Sequence, residues 1–186
     1  KSLSVSSSNM TLGASSEINS GTATLLVSQS GQTIGLGSGA GSFSLDNTEL
    51  SQITSTDLMI GSSSNGTITV DNVTSFSGPL TLNATAAGSS VNFSGTASSD
   101  LENITINAGT GGVGFGVDLT TTGSLTATSE GAIAGAGILN VAGTASFNTS
   151  GSANATVVSN SDLTLGKSTI GGDLTVTVTG TNSLNV

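Results

Sequence analysis

The sequence predicts an all-β fold, a right-handed parallel β-helix wound as a single-stranded β-solenoid with about 20–22 residues per coil. Three observations lead there. Val, Ile, Leu and Phe recur in short runs that alternate with Thr, Ser and Asn, the period-2 pattern of a strand with one buried face. Gly, Asn, Ser and Asp cluster between the runs, where they supply positive φ or local side-chain capping at tight corners. Similar strands also return at a soft period, as in Leu58, Leu80 and Leu101, which weakens in the second half.

The elements follow in order. Lys1-Ser2-Leu3-Ser4-Val5 already reads as a strand. Further strands are expected at Thr22–Val27, Gln32–Leu36, Asp57–Ile60, Thr67–Val70, Leu80–Asn83, Val91–Phe93, Asn103–Asn107 and Val113–Leu119. The series continues at Ser124–Ala127, Ile138–Val141, Ala145–Phe147, Thr156–Val158, Leu163–Leu165, Leu174–Val178 and Ser183–Val186. Corners fall at Ser64-Asn65-Gly66, Ala87-Gly88-Ser89 and Gly171-Gly172-Asp173. Asp46–Ile53 is the best place for a turn of helix, because Asp46 is a capping residue with Glu49 at the third position after it, and a corner loop is the alternative there. At ~4.8 Å between stacked strands, roughly nine coils make a rod about 40 Å long. A β-sandwich would show longer strands, more proline and a core Trp or Tyr; here Pro79 is the only proline, and Trp and Tyr are absent.

The core of such a stack is expected at Leu58, Ile60, Ile68, Val70, Leu80, Leu82, Ile104, Ile106, Leu174 and Val176, with Phe43, Phe76, Phe93, Phe115 and Phe147 filling larger gaps. Residues 1–186 read as one solenoid segment without a signal peptide, a mature product or a piece cut from something longer.

Composition removes several functions. About a third of the 186 residues are Ser or Thr, 7% are charged, and two lysines face 11 acidic residues, for a net charge of −9. Nucleic-acid affinity rests largely on neutralising phosphates, so no nucleic-acid partner is expected. The same charge gives no attraction to anionic lipid, and no apolar run approaches the ~20 residues of a spanning helix, so no membrane insertion is expected. Without cysteine there is no disulfide framework and no thiolate metal site.

The run ELSQITSTDLMIGSSSNGTITV at residues 49–70, preceded by TIGLGSGAGSFSL at 33–45, resembles the repeat of filamentous-haemagglutinin-type exoproteins of Gram-negative bacteria. Gly123-Ser124-Leu125-Thr126 and Gly172-Asp173-Leu174-Thr175-Val176 share that texture, which autotransporter passenger domains also show. The resemblance implies two-partner secretion through an outer-membrane transporter, a secreted or cell-surface location, and a role as adhesin, toxin-delivery stalk or biofilm matrix component. It implies a host-cell receptor or glycan as partner and stacking against adjacent coils of a parent chain. The amino-terminal secretion domain of that family is missing here, so this would be repetitive shaft, for which the family supplies no catalytic residues.

The motifs that carry chemistry fall short. Gly109-Thr110-Gly111-Gly112-Val113-Gly114 matches a dinucleotide fingerprint, but no helix is expected after it to receive a pyrophosphate. Leu165-Gly166-Lys167-Ser168 imitates the end of a P-loop, yet Ser161 stands where its first glycine belongs. The run from Gly111 to Leu119 approaches a calcium-binding nonapeptide, but its sixth place is Gly116 and the carboxylate is displaced to Asp118. Asp100 with Glu102, and Asp46 with Glu49, are the acidic pairs to weigh for glycoside chemistry. With no Arg, His, Tyr or Trp to complete a cleft, no catalytic, cofactor-binding or metal-binding residue is assigned, no cofactor is expected, and the chain is read as a non-enzyme.

Thr175-Val176-Thr177-Val178-Thr179 and Thr67-Ile68-Thr69 suggest an ice-binding array, but Thr-x-Thr does not recur at a fixed period. An in-register column of Thr or Asp over at least three coils is the feature that would favour an ice-binding, carbohydrate-binding or carbohydrate-active solenoid over a shaft. Eight Asn-x-Ser/Thr sequons, at Asn9, Asn65, Asn72, Asn83, Asn92, Asn103, Asn148 and Asn154, offer glycosylation sites if the export route provides the enzyme.

Overall fold

A computed structural model describes residues 1–74 and 76–186. The chain is a parallel β-solenoid, as the alternation predicted. One face is a nine-stranded sheet of β1 (Ser2–Ser7), β2 (Ile18–Val27), β5 (Ile53–Ser62), β7 (Leu80–Ala84), β10 (Ile104–Ala108), β13 (Leu125–Ser129), β16 (Thr144–Thr149), β18 (Leu163–Leu165) and β20 (Leu184–Asn185). The second face holds eight strands: β4 (Phe43–Leu45), β3 (Ile34–Gly37), β6 (Ile68–Asp71), β8 (Ser90–Phe93), β11 (Gly112–Phe115), β14 (Ile133–Ala134), β17 (Ala155–Ser159) and β19 (Leu174–Val178). Through the central coils a third face closes the triangle with β9 (Ser99–Leu101), β12 (Leu119–Thr121) and β15 (Leu139–Val141). Crossovers between parallel strands of one sheet are overwhelmingly right-handed, the sense expected for this winding.

Stacking puts like over like. On the first face the inward columns are Leu58–Leu80–Ile104–Leu125–Ala145 and Leu25–Ile60–Leu82–Ile106–Ala127–Phe147, each member paired with the next. Phe147 lies below Ala127, so a large side chain takes the volume that a small one leaves open. On the second face Ile34, Ile68, Val91, Val113 and Ile133 align, and Val70 is followed by Phe93 and Phe115. The Phe93 and Phe115 rings stack at 5.4 Å between centroids and 25° between planes. All five phenylalanines are buried.

Three expectations need correction. Leu101 is not the coil partner of Leu80: that partner is Ile104, and Leu101 belongs to the third face. Val113–Leu119 is two strands, β11 and β12, because the chain turns a corner between Phe115 and Leu119. Leu174 is 37% exposed and Val176 half-buried, because no further coil stacks beyond β19 to cover them. The coil length holds close to 20–22 residues: Leu58, Leu80, Ile104, Leu125 and Ala145 are separated by 22, 24, 21 and 20.

The coil between β2 and β5 is the longest, at 35 residues from Ile18 to Ile53, because it carries β4 and a short helix, α1 (Asn47–Ser51). Of the two readings of Asp46–Ile53, the turn of helix is the one present. Asp46 accepts the Glu49 N–H at 2.8 Å, and the Asp46 N–H donates to Glu49 Oε2 at 3.0 Å. The second carboxylate oxygen of Glu49 accepts the Leu12 N–H at 3.0 Å, which ties the chain following β1 across the helix. Asp46 and Glu49 thus serve as a reciprocal cap.

Candidate functional site

Corners account for most residues that the sequence offered as chemistry. Gly109 to Gly114 runs through a corner into β11, and a β-strand stands where a helix would have to begin. Asp118 Oδ1 accepts the Ile138 N–H at 2.7 Å, holding one corner to the next coil. Ser168 Oγ accepts the Phe147 N–H at 3.0 Å and donates to Gly166 O at 3.1 Å. Asp71 was not singled out in the sequence, yet it is the one buried carboxylate among the described residues, and it accepts the N–H groups of Thr96 and Ala97 at 3.1 and 3.2 Å. A carboxylate used this way gives two corner amides a shared charged acceptor and itself stays hydrogen-bonded while buried.

Asp100 and Glu102 are exposed and line a shallow groove of about 280 Å³ with Phe76, Ser77 and Thr122. Glu102 Oε1 accepts from Asn103 Nδ2 at 3.3 Å. Among the described residues no cluster of three or more His, Cys, Asp or Glu is placed to hold a metal ion. No helix among them is long and apolar enough to cross a membrane.

The outward side of the nine-stranded face carries the most ordered polar array. Thr81, Thr105, Thr126 and Ser146 stack in register in β7, β10, β13 and β16. Two residues on, Asn83, Asn107, Thr128 and Asn148 form a second column. Side chains two residues apart on a strand share a face, so the two columns run side by side, ~4.8 Å per coil along the rod and ~6.6 Å across it. Met59 and Gly61 occupy the same two columns in β5 and close the array at one end. Asn148 is partly engaged, its Oδ1 accepting the Thr169 N–H at 3.1 Å.

Beside the second column lies an open groove of about 320 Å³ lined by Asn83, Thr85, Asn107, Ala108, Thr128, Ser129, Glu130 and Ser150. Its size falls at the low end of ligand pockets, though its shape is a trough rather than an enclosure. Gly109 stands two residues after Asn107, where Thr85 stands two after Asn83 and Glu130 two after Thr128, so one coil projects no side chain along that rim. Two other troughs measure about 430 and 370 Å³: the larger, on the third face, is lined by Thr120, Asn140, Ser161 and Asp162 among others, and the smaller lies at the corner before that face, lined by Thr96 to Ser98 and Gly116 to Asp118. In that larger trough Asn140 Oδ1 already accepts from Ser161 Oγ at 3.4 Å.

The sequons separate by environment. Asn65 is fully buried and its Nδ2 donates to Gly66 O at 2.8 Å, which puts it out of reach once the chain has folded. Asn92 donates to Ser90 Oγ, whereas Asn9 and Asn154 are exposed. The resemblance to large exoproteins has no independent match to rest on: no family model, no curated protein and no solved structure matches the chain.

Proposed function

We propose that this chain is a shaft segment of a large secreted bacterial surface protein, one that extends a distal domain from the cell and offers adhesive outer faces along its length. The observation that carries this reading is the continuous stack of nine strands whose outward positions on the widest face are mostly Thr, Ser and Asn. Apolar residues turned inward give each coil its stability through its neighbours, so length is added without a new core. Uncharged polar groups turned outward make individually weak contacts that gain strength by repetition. The filamentous-haemagglutinin-like phrase at 49–70 supports two-partner secretion and a Gram-negative cell surface, with an outer-membrane transporter as the partner during export. A non-catalytic role accords with carboxylates used as corner caps.

The in-register column Thr81–Thr105–Thr126 favours a second reading, a ligand-binding solenoid face, which is compatible with the first. The adhesive part is tested with beads that carry the purified chain at high density, presented to epithelial cells and to bacterial cells. Saturable attachment, competed by excess soluble chain, is expected. Attachment no greater than that of beads carrying an unrelated acidic protein would contradict it.

A further inference from the structure

We propose that the double column on the nine-stranded face, with its flanking trough, binds a neutral glycan chain lying along the solenoid axis, an inference that rests on the adhesive reading above. Three properties of the array select this ligand. First, Asn83 and Asn107 are partners in adjacent strands, so the same amide is presented again one coil on, and Thr81 and Thr105 repeat beside them. A ligand that repeats its own hydrogen-bonding groups along a line is the kind of molecule that meets such a row. Each amide supplies two N–H donors and a carbonyl acceptor, and each threonine a hydroxyl that does either, which matches the mixed donor and acceptor character of sugar hydroxyls.

Second, the lining contains no cation, and its single charge is the exposed carboxylate of Glu130. A net charge of −9 repels polyanions such as sulfated or uronic-acid polymers and leaves the neutral ones. The Glu130 carboxylate is an acceptor that the hydroxyls of a bound sugar can meet. Third, the trough is open and continuous across β7, β10 and β13, so a polymer can enter from the side and extend past both ends. An ice-binding face would instead be flat and would carry threonine in both columns, whereas here the second column is Asn in three of its four coils and is bordered by a trough. Without an aromatic residue in the lining, the contact relies on hydrogen bonds and so gains useful strength only when several copies engage.

The test uses the full chain, biotinylated and displayed on streptavidin beads, and measures retention on immobilised mannan, galactan and cellulose. Retention on at least one is expected, with loss of about tenfold in the double variant Asn83→Ala/Asn107→Ala, the scale set by removing two neutral hydrogen-bonding groups. Thr156→Ala, exposed on the other large face, should retain wild-type binding, and matched melting curves show that every variant is folded. Equal retention of the double variant and wild type overturns the proposal, as does failure of the wild type on all three polymers. Ice-crystal shaping by the wild type that is lost in Thr105→Leu would assign the face to ice and overturn it too. Cell attachment that persists undiminished in the double variant sinks this site while leaving the adhesive reading intact; absence of cell attachment by the wild type sinks that reading itself.

Discussion

Phe115→Ala is expected to lower the unfolding free energy by about 3–5 kcal/mol, the usual cost of emptying a well-packed aromatic site. Phe115 is 1% exposed in a central coil and stacks on Phe93 of the coil before it. The coil that follows offers little to refill the space, since Gly135 is next after Ala134, the β14 residue opposite Gly114. Because each coil is stabilised only by its neighbours, the loss should also weaken the coupling between the two halves of the stack. Urea denaturation followed by far-UV circular dichroism measures both effects: an earlier midpoint and a broader or two-step transition. A wild-type curve would mean that the aromatic pair is not a packing element.

Gly112→Val is expected to cost about 3 kcal/mol, for two reasons that reinforce each other. Gly112 has φ +88°, in the left-handed region that is especially unfavourable for a β-branched side chain. A Cβ at this position would also lie 2.4 Å from the carbonyl oxygen of Ala132 in the next coil, so the stack itself would have to move apart. The glycine-rich run that imitates a nucleotide-binding fingerprint is therefore explained by close passage of one coil over another. The same denaturation experiment checks it, and a loss below about 1 kcal/mol would show that the corner is soft.

Which parts of this molecule were legible in the sequence follows from how stacking works. Alternation of apolar and polar residues is local, so strands such as β7, β10 and β19 could be placed from their own few residues. Register is not local. The coils from Thr81 to Thr105, Thr126 and Ser146 differ in length at 24, 21 and 20 residues, and that drift concealed a threonine column that a fixed-period search cannot find. Of the third face, β15 was expected at Ile138–Val141, β12 was merged into the strand before it, and β9 escaped. Ser99–Leu101 has only two inward positions, and one of them is Ser99, whose hydroxyl accepts the Val73 N–H at 3.0 Å. Leu174 and Val176 carry a core pattern, but burial of a solenoid side chain depends on the coil above and the coil below. Asp71 gave no sequence signal, since its role appears only when the corner amides of Thr96 and Ala97 come to lie beside it.

The candidate site divides in the same way. Its residue types were visible as Thr-rich and Asn-rich strands, while the trough beside them depends on Asn83, Asn107 and Thr128 being brought to one edge by coils of unequal length. The central claim is that this solenoid is an exterior shaft. Its most direct test is labelling of intact, unpermeabilised cells of the source organism with an antibody raised against the folded chain, paired with brief protease treatment of those cells. Label on intact cells that disappears on protease treatment is the predicted result. Label that appears only after the cells are permeabilised would contradict it.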